Sequence, residues 1–169
     1  MKNRDYLNEL LTSKNIVYKD DISNFKDSGL YILYPNFDLK QITNETYLKV
    51  GITNEKKGLH GRLRSHFNSS KVKVKNDSNT LVGSTTLGRH MYRDKTVSKE
   101  FGLNFTEQKD RQKFLKEHCY FKVLPLEEFN WTEDGNETIS RKKRLMEIET
   151  VIQDIIRPEV RYIDDVIER

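Results

Sequence analysis

The chain has 169 residues, the length of one ordinary domain, so we expect a single domain over residues 1–169. Charged residues make up 33% of it, but eight Tyr and eight Phe argue against a disordered chain. No stretch approaches the run of about 18 apolar residues that a membrane-spanning helix needs, so we expect no membrane partner. The single cysteine, Cys119, and a polar N-terminus favour a reducing, cytoplasmic setting.

The net charge of +4 is distributed unevenly along the sequence. The segment from Lys49 to Lys95 holds 11 lysines and arginines and three acidic residues, which gives it a net charge of +8 and leaves −4 for the remainder. A basic segment within an otherwise acidic chain indicates a nucleic-acid partner. A solvated, lysine-rich surface would have the same composition, so charge alone leaves both interpretations open.

The first elements in chain order are a helix and a pair of strands. Residues 4–14 have apolar side chains at helical spacing, which predicts a short helix in an N-terminal extension, residues 1–27. The core would then cover about residues 28–162. Two β-prone runs, 28–34 and 46–52, predict an antiparallel pair joined by the loop 35–45.

The two-residue period of a strand assigns the side chains of this pair to faces. Gly29 and Tyr31 share one face of the first strand. Tyr47, Lys49 and Gly51 share one face of the second strand. The opposite faces are almost wholly apolar and should form the core. We therefore expect Tyr31, Tyr47 and Lys49 on the less apolar side of the sheet, within reach of a substrate.

Helices alternate with loops through the rest of the chain. Residues 57–67 predict a helix on which Arg62 and His66, four residues apart, share a face. Residues 69–80 predict a mobile basic loop, and residues 85–93 are weakly helical. A helix over 106–118 precedes a third strand over 119–126 and an acidic turn over 127–137. The last helix covers 140–157, and Pro158 ends it.

One carboxylate on the last helix interrupts its amphipathic pattern. Glu149 flanks the apolar stripe of this helix, which consists of Leu145, Ile148, Ile152, Ile155 and Ile156. A carboxylate at the edge of a buried stripe needs a partner, because an unpaired charge away from water costs several kcal/mol. A salt bridge to Arg144 would satisfy it, as would a hard divalent cation.

Four landmarks in this order resemble the signature of the GIY-YIG nuclease superfamily. They are Gly29-Leu30-Tyr31, Lys49-Val50-Gly51, the run from Gly61-Arg62 to His66-Phe67, and Glu149 nine residues before Pro158. The resemblance implies an α+β fold, a small three-stranded antiparallel sheet flanked by helices in the order strand, strand, helix, helix, strand, helix. The elements predicted independently follow that order after the N-terminal helix. The resemblance also implies hydrolysis of DNA phosphodiester bonds with one Mg²⁺ or Mn²⁺ ion per active site.

This resemblance implies a role for each landmark side chain. Glu149 would hold the metal, and Arg62 would neutralise phosphate charge through its guanidinium group. Tyr31 would orient or deprotonate the attacking water, and His66 would accept or relay a proton. Lys49 stands where the family name has Tyr and could steer the water electrostatically.

Two further features concern the departures from the family pattern. Tyr47 precedes Lys49 by two residues and is a candidate auxiliary group in place of the missing Tyr. The Asn that often follows the terminal Pro is replaced by Val160-Arg161-Tyr162. Both departures also fit a GIY-YIG-fold nucleic-acid-binding module that has weak or no catalytic activity, which is the alternative function.

The expected partner is DNA, double-stranded in the first instance and single-stranded as the alternative. The basic residues expected to contact it are Arg64, Lys71, Lys73, Lys75 and Arg89. The segments 35–45, 69–95 and 127–137 could read base sequence, which favours a site-specific restriction-type enzyme over repair or mobile-element cleavage. The oligomeric state stays open, a homodimer included. Zinc chemistry is not favoured, because the four His and Cys119 lack compact ligand spacing.

Overall fold

Three antiparallel strands form the central sheet of the protein, seen in a computed structural model that describes residues 3–75, 80–83 and 85–163. The strands are β1 (Gly29–Pro35), β2 (Lys49–Thr53) and, near the end of the chain, β5 (Cys119–Pro125), in the spatial order β2-β1-β5. A separate two-stranded hairpin consists of β3 (Lys73–Val74) and β4 (Leu81–Val82). The predicted α+β class with a three-stranded antiparallel sheet is therefore confirmed.

Helices cover both faces of this sheet. In chain order they are α1 (Asn3–Thr12), α2 (Gly58–Asn68), α3 (Thr86–Arg93), α4 (Lys95–Glu100), α5 (Gln108–His118) and α6 (Gly135–Ile156). Short 3-10 turns occur at Leu39–Gln41, Glu127–Phe129 and Arg157–Glu159. In the part of the chain that the structure describes, no helix has the length and apolar character needed to cross a bilayer.

The sheet separates two apolar clusters. On one face, Tyr31 and Leu33 of β1 pack with side chains of α2 and α5, such as Leu63 and Phe114. The second cluster is formed on the other face by residues of β1, α1 and α6, including Leu10, Leu30, Ile32, Leu145 and Ile152. Because the alternating side chains of β1 are apolar on both sides, this strand is sandwiched between two helical layers.

The expectation that one face of the sheet would be less apolar and open to substrate is wrong. Tyr31 has 3% of its surface exposed and Lys49 has 4%. The face that carries them is covered by α2 and α5, because Leu33, Phe121 and Val123 make it apolar around the tyrosine. Tyr31 and Lys49 are therefore accessible only at the edge of this layer, where both line a small recess.

The second strand begins later than the sequence predicts. It starts at Lys49 and not at Thr46, so Tyr47 lies ahead of it and forms an isolated parallel bridge with Val160. Leu48 belongs to the cluster that includes Leu33, whereas Val50 belongs to the other cluster. The predicted assignment of Tyr47 to the same strand face as Lys49 is consequently wrong.

The segment predicted as a mobile basic loop, residues 69–80, contains β3 and precedes β4, whereas residues 76–79 lie outside the described residues. The predicted weak helix over 85–93 corresponds to α3, apart from its first residue. A second short helix, α4, follows it and was not predicted. The ends of the predicted single domain, residues 1–2 and 164–169, also lie outside the described residues.

The last helix begins at Gly135, earlier than predicted, because Asp134 caps it. The Asp134 carboxylate accepts hydrogen bonds from the backbone N–H groups of Asn136 and Glu137. Four of the five residues of the predicted apolar stripe are buried. Ile155 is 43% exposed and does not belong to it.

A polar cluster around Asp94 joins the segment that follows the last 3-10 turn to the corner between α3 and α4. The Asp94 carboxylate caps α4 through the N–H groups of Thr96 and Val97 and accepts a 2.6 Å hydrogen bond from Tyr162 Oη. It also accepts hydrogen bonds from Arg161, at 3.2 and 3.3 Å. Burial alone would raise the pKa of Asp94, but these donors outweigh it and hold the pKa below its ordinary value.

We expect Asp94→Asn to lower the free energy of unfolding at pH 7 by about 2–4 kcal/mol, because the ion pair with Arg161 is lost and a neutral amide replaces the buried carboxylate that accepts from Tyr162. The pKa of Asp94 is lower in the folded chain than in the unfolded one, so its contribution is present above the unfolded pKa. The contribution is lost as the pH falls through the folded pKa.

Urea unfolding at pH 7 and at low pH measures this effect. The difference between wild type and Asp94→Asn should shrink on acidification. Asp154→Asn is the matched control, because the Asp154 side chain is 62% exposed and its pair with Arg157 is on the surface. A destabilisation by Asp94→Asn no larger than that of the control would show that the cluster does not hold these elements together.

Candidate active site

Residues of five separate elements line one recess of about 160 Å³. This recess, named the central recess, is at the edge of the sheet where β1, β2, α2, α3 and α6 meet. Its charged and polar lining residues are Tyr31, Lys49, Arg62, Thr86 and Glu149. The volume is about five times the ~30 Å³ that a water molecule occupies in the liquid, enough for a phosphate group or a hydrated ion.

Tyr31 is positioned by the glycine opposite to it on β2. Tyr31 and Gly51 are direct cross-strand partners. A Cβ atom on Gly51 would lie 2.2 Å from Tyr31 Oη and 2.3 Å from Tyr31 Cζ, far inside contact distance. The tyrosine ring therefore lies across the bare backbone of Gly51, and the Lys49-Val50-Gly51 landmark has a steric reason for its glycine.

His66 contacts Tyr31 and does not line the central recess. His66 Nε2 and Tyr31 Oη are 2.8 Å apart, and the two ring centroids are 5.1 Å apart. His66 is 2% exposed, since it packs between the sheet and α2 beside Phe121. If Nε2 is the acceptor, the phenol proton of Tyr31 is directed toward His66.

Arg62 is placed at the mouth of the site by its position on α2. Its guanidinium group makes an ion pair with Glu55, and its side chain is 26% exposed. The Nε atom is buried and makes no hydrogen bond with the described residues. Arg62 and Glu149 also line a second depression of about 280 Å³, which includes Lys142 and Glu55. The central recess is thus connected to the surface on the side of Arg62.

Charges of both signs line the central recess. Lys49 and Arg62 contribute two positive charges, and Glu149 contributes one negative charge. Arg62 is also paired with Glu55, so an anion bound at the mouth would compete with that carboxylate for the guanidinium group. Because Lys49 and Glu149 are 4% and 8% exposed, solvent screens their fields less than it would at an open surface.

Glu149 is the one carboxylate that lines the central recess within the described part of the chain. Mg²⁺ is commonly held by one or two carboxylates and completes its octahedral shell with water and substrate phosphate oxygens. The residues present therefore fit a Mg²⁺ or Mn²⁺ ion that is bound by Glu149 and takes its other ligands from water and from the substrate. Over residues 3–75, 80–83 and 85–163, no group of three or more His, Cys, Asp or Glu side chains is arranged to hold a metal ion.

Two residues near the site were missed by the sequence analysis. Thr86, the first residue of α3, lines the central recess. No local pattern marks it, because its place depends on how α3 packs. Lys142 lines the outer depression beside Glu149. It precedes Glu149 by seven residues on the same helix, so its position on the same face could have been found from helical spacing.

The structure does not bring Tyr47 to the central recess. Its ring packs edge-on against Tyr34, with centroids 5.0 Å apart, and both rings adjoin the cluster on the far side of the sheet. Burial, followed by the charge of Glu159, raises the pKa of Tyr47. This environment is that of a packed aromatic side chain and gives no support to the expected auxiliary role.

The predicted nucleic-acid contacts fall into two groups. Arg64 of α2 is exposed, as are Lys71, Lys73 and Lys75 around β3, and none of these four lines the central recess. Arg89 is half-buried, and its guanidinium group donates a 2.6 Å hydrogen bond to the carbonyl oxygen of Gly83. That hydrogen bond connects α3 to the end of β4, so Arg89 has a structural role.

No protein-family model matches the chain, and comparisons with curated proteins and with solved structures give no match either. A functional assignment therefore depends on the residues of this chain and on their geometry.

Proposed function

We propose that the protein is a metal-dependent endonuclease of the GIY-YIG type that hydrolyses DNA phosphodiester bonds. The observation that carries the proposal is the convergence of Tyr31, Lys49, Arg62 and Glu149 on the central recess. These residues come from four elements and span 119 positions of the sequence, and each of them belongs to one of the sequence landmarks. A purely structural role for each residue would not require them to share one recess.

Substrate binding is assigned to the two cations of the recess. A phosphodiester is anionic, so a nucleophile approaches it only when its charge is compensated. Arg62 offers a planar set of N–H donors at the mouth, and its buried Nε–H points at no acceptor among the described residues. Lys49 adds a positive charge deeper in the recess. Together they would hold the phosphate with one oxygen directed toward Glu149.

Proton transfer is assigned to the Tyr31–His66 pair. Tyr31 lines the recess, and its phenol oxygen is 2.8 Å from His66 Nε2, which would accept the phenol proton when that nitrogen is unprotonated. Tyr31 would orient the attacking water, and proton movement toward His66 would increase the basicity of the phenol oxygen. A Mg²⁺ or Mn²⁺ ion held by Glu149 would supply Lewis-acid stabilisation of the phosphate charge and of the leaving oxygen.

The first test is metal dependence. Supercoiled plasmid incubated with the full chain should be cut in the presence of Mg²⁺ or Mn²⁺, and EDTA should abolish cutting. Excess Mg²⁺ should restore it. The restriction-type form of the proposal further requires discrete fragments from a linear DNA of mixed sequence, because site-specific cutting leaves defined ends.

Absence of any metal-dependent product, together with salt-sensitive DNA binding, would replace the nuclease by the alternative, a binding module without activity. A Tyr31→Phe variant controls for a contaminating nuclease. It should retain the packing of the ring against Phe121 while losing the hydroxyl group. Equal cutting by wild type, Tyr31→Phe and Glu149→Gln would identify the activity as foreign, whereas equal cutting by Tyr31→Phe alone would remove the Tyr31 hydroxyl from the proposed chemistry.

A further inference from the structure

A groove larger than the central recess runs along the outer face of α2. It has a volume of about 820 Å³ and is bounded by α2 on one side and by the start of α5 on the other. The residues that define this α2–α5 groove are Lys56, Lys57, Gly61, Arg64, Gln108 and Gln112. It follows the 11 residues of α2, Gly58–Asn68, which corresponds to about 16 Å, or about five base-pair steps along a duplex axis.

The floor of the α2–α5 groove is kept open by small side chains. Gly61 has none, and a Cβ atom there would come within 2.6 Å of Lys57 Cβ. Ser65 is one turn further along α2, and its hydroxyl group donates a 3.0 Å hydrogen bond to the Gly61 carbonyl oxygen. The far wall is fixed, since the amide groups of Gln108 and Gln112 donate to the carbonyl oxygens of Ser69 and Asn68. The groove therefore lies between two helices that are connected by hydrogen bonds at one end.

The charged residues of the α2–α5 groove are mainly cationic. Lys56, Lys57 and Arg64 are exposed in it, and Glu55 is the one acidic residue of its lining among the described residues. The Lys56 ammonium group lies 5.3 Å above the Trp131 ring, so it is held at the rim. Burial, and after it the charges of Arg64, Lys57 and Lys26, lowers the pKa of His60 in the groove wall. Positive charges that lie close together along one groove repel each other, and a bound polyanion would relieve this repulsion.

The α2–α5 groove and the outer depression of the candidate active site border each other at Glu55. Glu55 lines both the groove and the outer depression that contains Arg62 and Glu149, and it is ion-paired with Arg62. A chain of phosphates that lies along α2 would therefore reach Arg62 at its end. Arg62 must exchange Glu55 for a phosphate oxygen when this happens, so Glu55 marks the passage from groove to recess.

From this geometry we propose that the α2–α5 groove is the docking surface for the DNA strand beside the scissile phosphate, with Lys57 and Arg64 as its principal phosphate contacts. The placement of the cut rests on the proposed nuclease function, whereas the docking itself rests on the groove alone. Arg64 is one of the contacts predicted from the sequence. The inference adds Lys57 to it and makes the outer face of α2, in place of Lys71, Lys73 and Lys75 around β3, the main contact.

The test is a binding titration of the full chain with a fluorescein-labelled 30-base-pair DNA duplex, in EDTA so that no cutting occurs. Lys57→Glu combined with Arg64→Glu should weaken binding by about tenfold or more at 0.1 M salt. The slope of log K against log salt should fall in magnitude by about 2, since two phosphate contacts are lost. The charge-neutral pair Lys57→Gln and Arg64→Gln should show the same direction with a smaller change.

The matched control carries the same change of charge elsewhere. Lys40 and Lys99 are exposed and lie outside the groove, so Lys40→Glu combined with Lys99→Glu should change the affinity by less than about threefold. Both groove positions are exposed, and Lys57 is the N-cap position of α2, where an acidic side chain is favourable. Circular-dichroism melting should therefore show both doubly reversed variants folded.

The two proposals fail in different ways. Equal affinities and equal salt slopes for the groove and control variants would overturn the docking surface, while wild-type cutting of DNA would leave the nuclease in place. Weakened binding by the groove variant, together with no cutting by wild type, would overturn the nuclease and keep the docking surface. A larger loss on reversing Lys71, Lys73 and Lys75 than on reversing Lys57 and Arg64 would also overturn the groove as the principal contact.

Discussion

Glu149→Gln is expected to reduce metal-dependent DNA cleavage by about 10³-fold or more without unfolding the protein. Glutamine has nearly the volume of glutamate, so the position at 8% exposure beside the apolar stripe of α6 stays filled. A neutral amide oxygen is a much weaker ligand for a hard divalent cation than a carboxylate. Because Glu149 is the one carboxylate that lines the central recess in the described part of the chain, no neighbouring group there can substitute for it.

The measurement is the initial rate of plasmid cutting over a range of Mg²⁺ concentrations. Glu147→Gln is the matched control, since Glu147 is exposed on the same helix and lines a different depression. DNA binding in EDTA should be equal or tighter in Glu149→Gln, because the variant removes a negative charge that faces the phosphate. A rate for Glu149→Gln within tenfold of wild type would exclude Glu149 as the metal ligand and leave the metal site unassigned.

The sheet and the main helices could be predicted because each has a strong local pattern. The run from Gly29 to Tyr34 is β-prone and stops at Pro35, and both ends agree with β1 within one residue. The last helix has a cap and an apolar stripe, and Pro158 follows it within the 3-10 turn. These signals depend on neighbouring residues only, so no knowledge of the tertiary structure was needed.

The accessibility of the sheet faces could not be predicted in the same way. Alternation correctly assigned Tyr31 and Leu33 to one face of β1, yet it does not tell how much of that face α2 and α5 will cover. The polar tip of Tyr31 suggested an open face, whereas the structure buries the ring and satisfies the hydroxyl group through His66. Burial is a property of the packed layers, and the strand period contains no information about it.

In the candidate site too, some features could be predicted from local patterns and others depend on tertiary packing. Helical spacing placed Arg62 and His66 on neighbouring positions of α2, but their tasks differ because Arg62 faces the central recess and His66 faces Tyr31. Thr86 has no recognisable signal, because its proximity to Glu149 depends on the packing of α3. Local patterns thus identify which residues could act, and the contacts between elements decide how each of them acts.

Gly51→Ala should lower cleavage by about 10²-fold, although the substitution adds one methyl group and changes no charge. The added Cβ would lie 2.2 Å from Tyr31 Oη and 2.3 Å from Cζ, so the phenol ring must move. Movement of the ring breaks the 2.8 Å contact with His66 Nε2 and shifts the oxygen that is to orient the water. A displacement of about 1 Å in a catalytic group is enough for a loss of this size. Crowding should also destabilise the fold by about 1–3 kcal/mol.

The control for this prediction is Gly135→Ala, since a Cβ on Gly135 meets no heavy atom within 4 Å and the residue begins α6. It should leave cleavage unchanged. The decisive measurement is the double variant with Tyr31→Phe. If Gly51→Ala acts by displacing the Tyr31 hydroxyl, it should cost little further activity once that hydroxyl is absent, so the two losses should not add. Independent, additive losses would show that Gly51 affects the site by a route other than Tyr31, and full activity of Gly51→Ala would remove the Tyr31–His66 pair from the proposed chemistry.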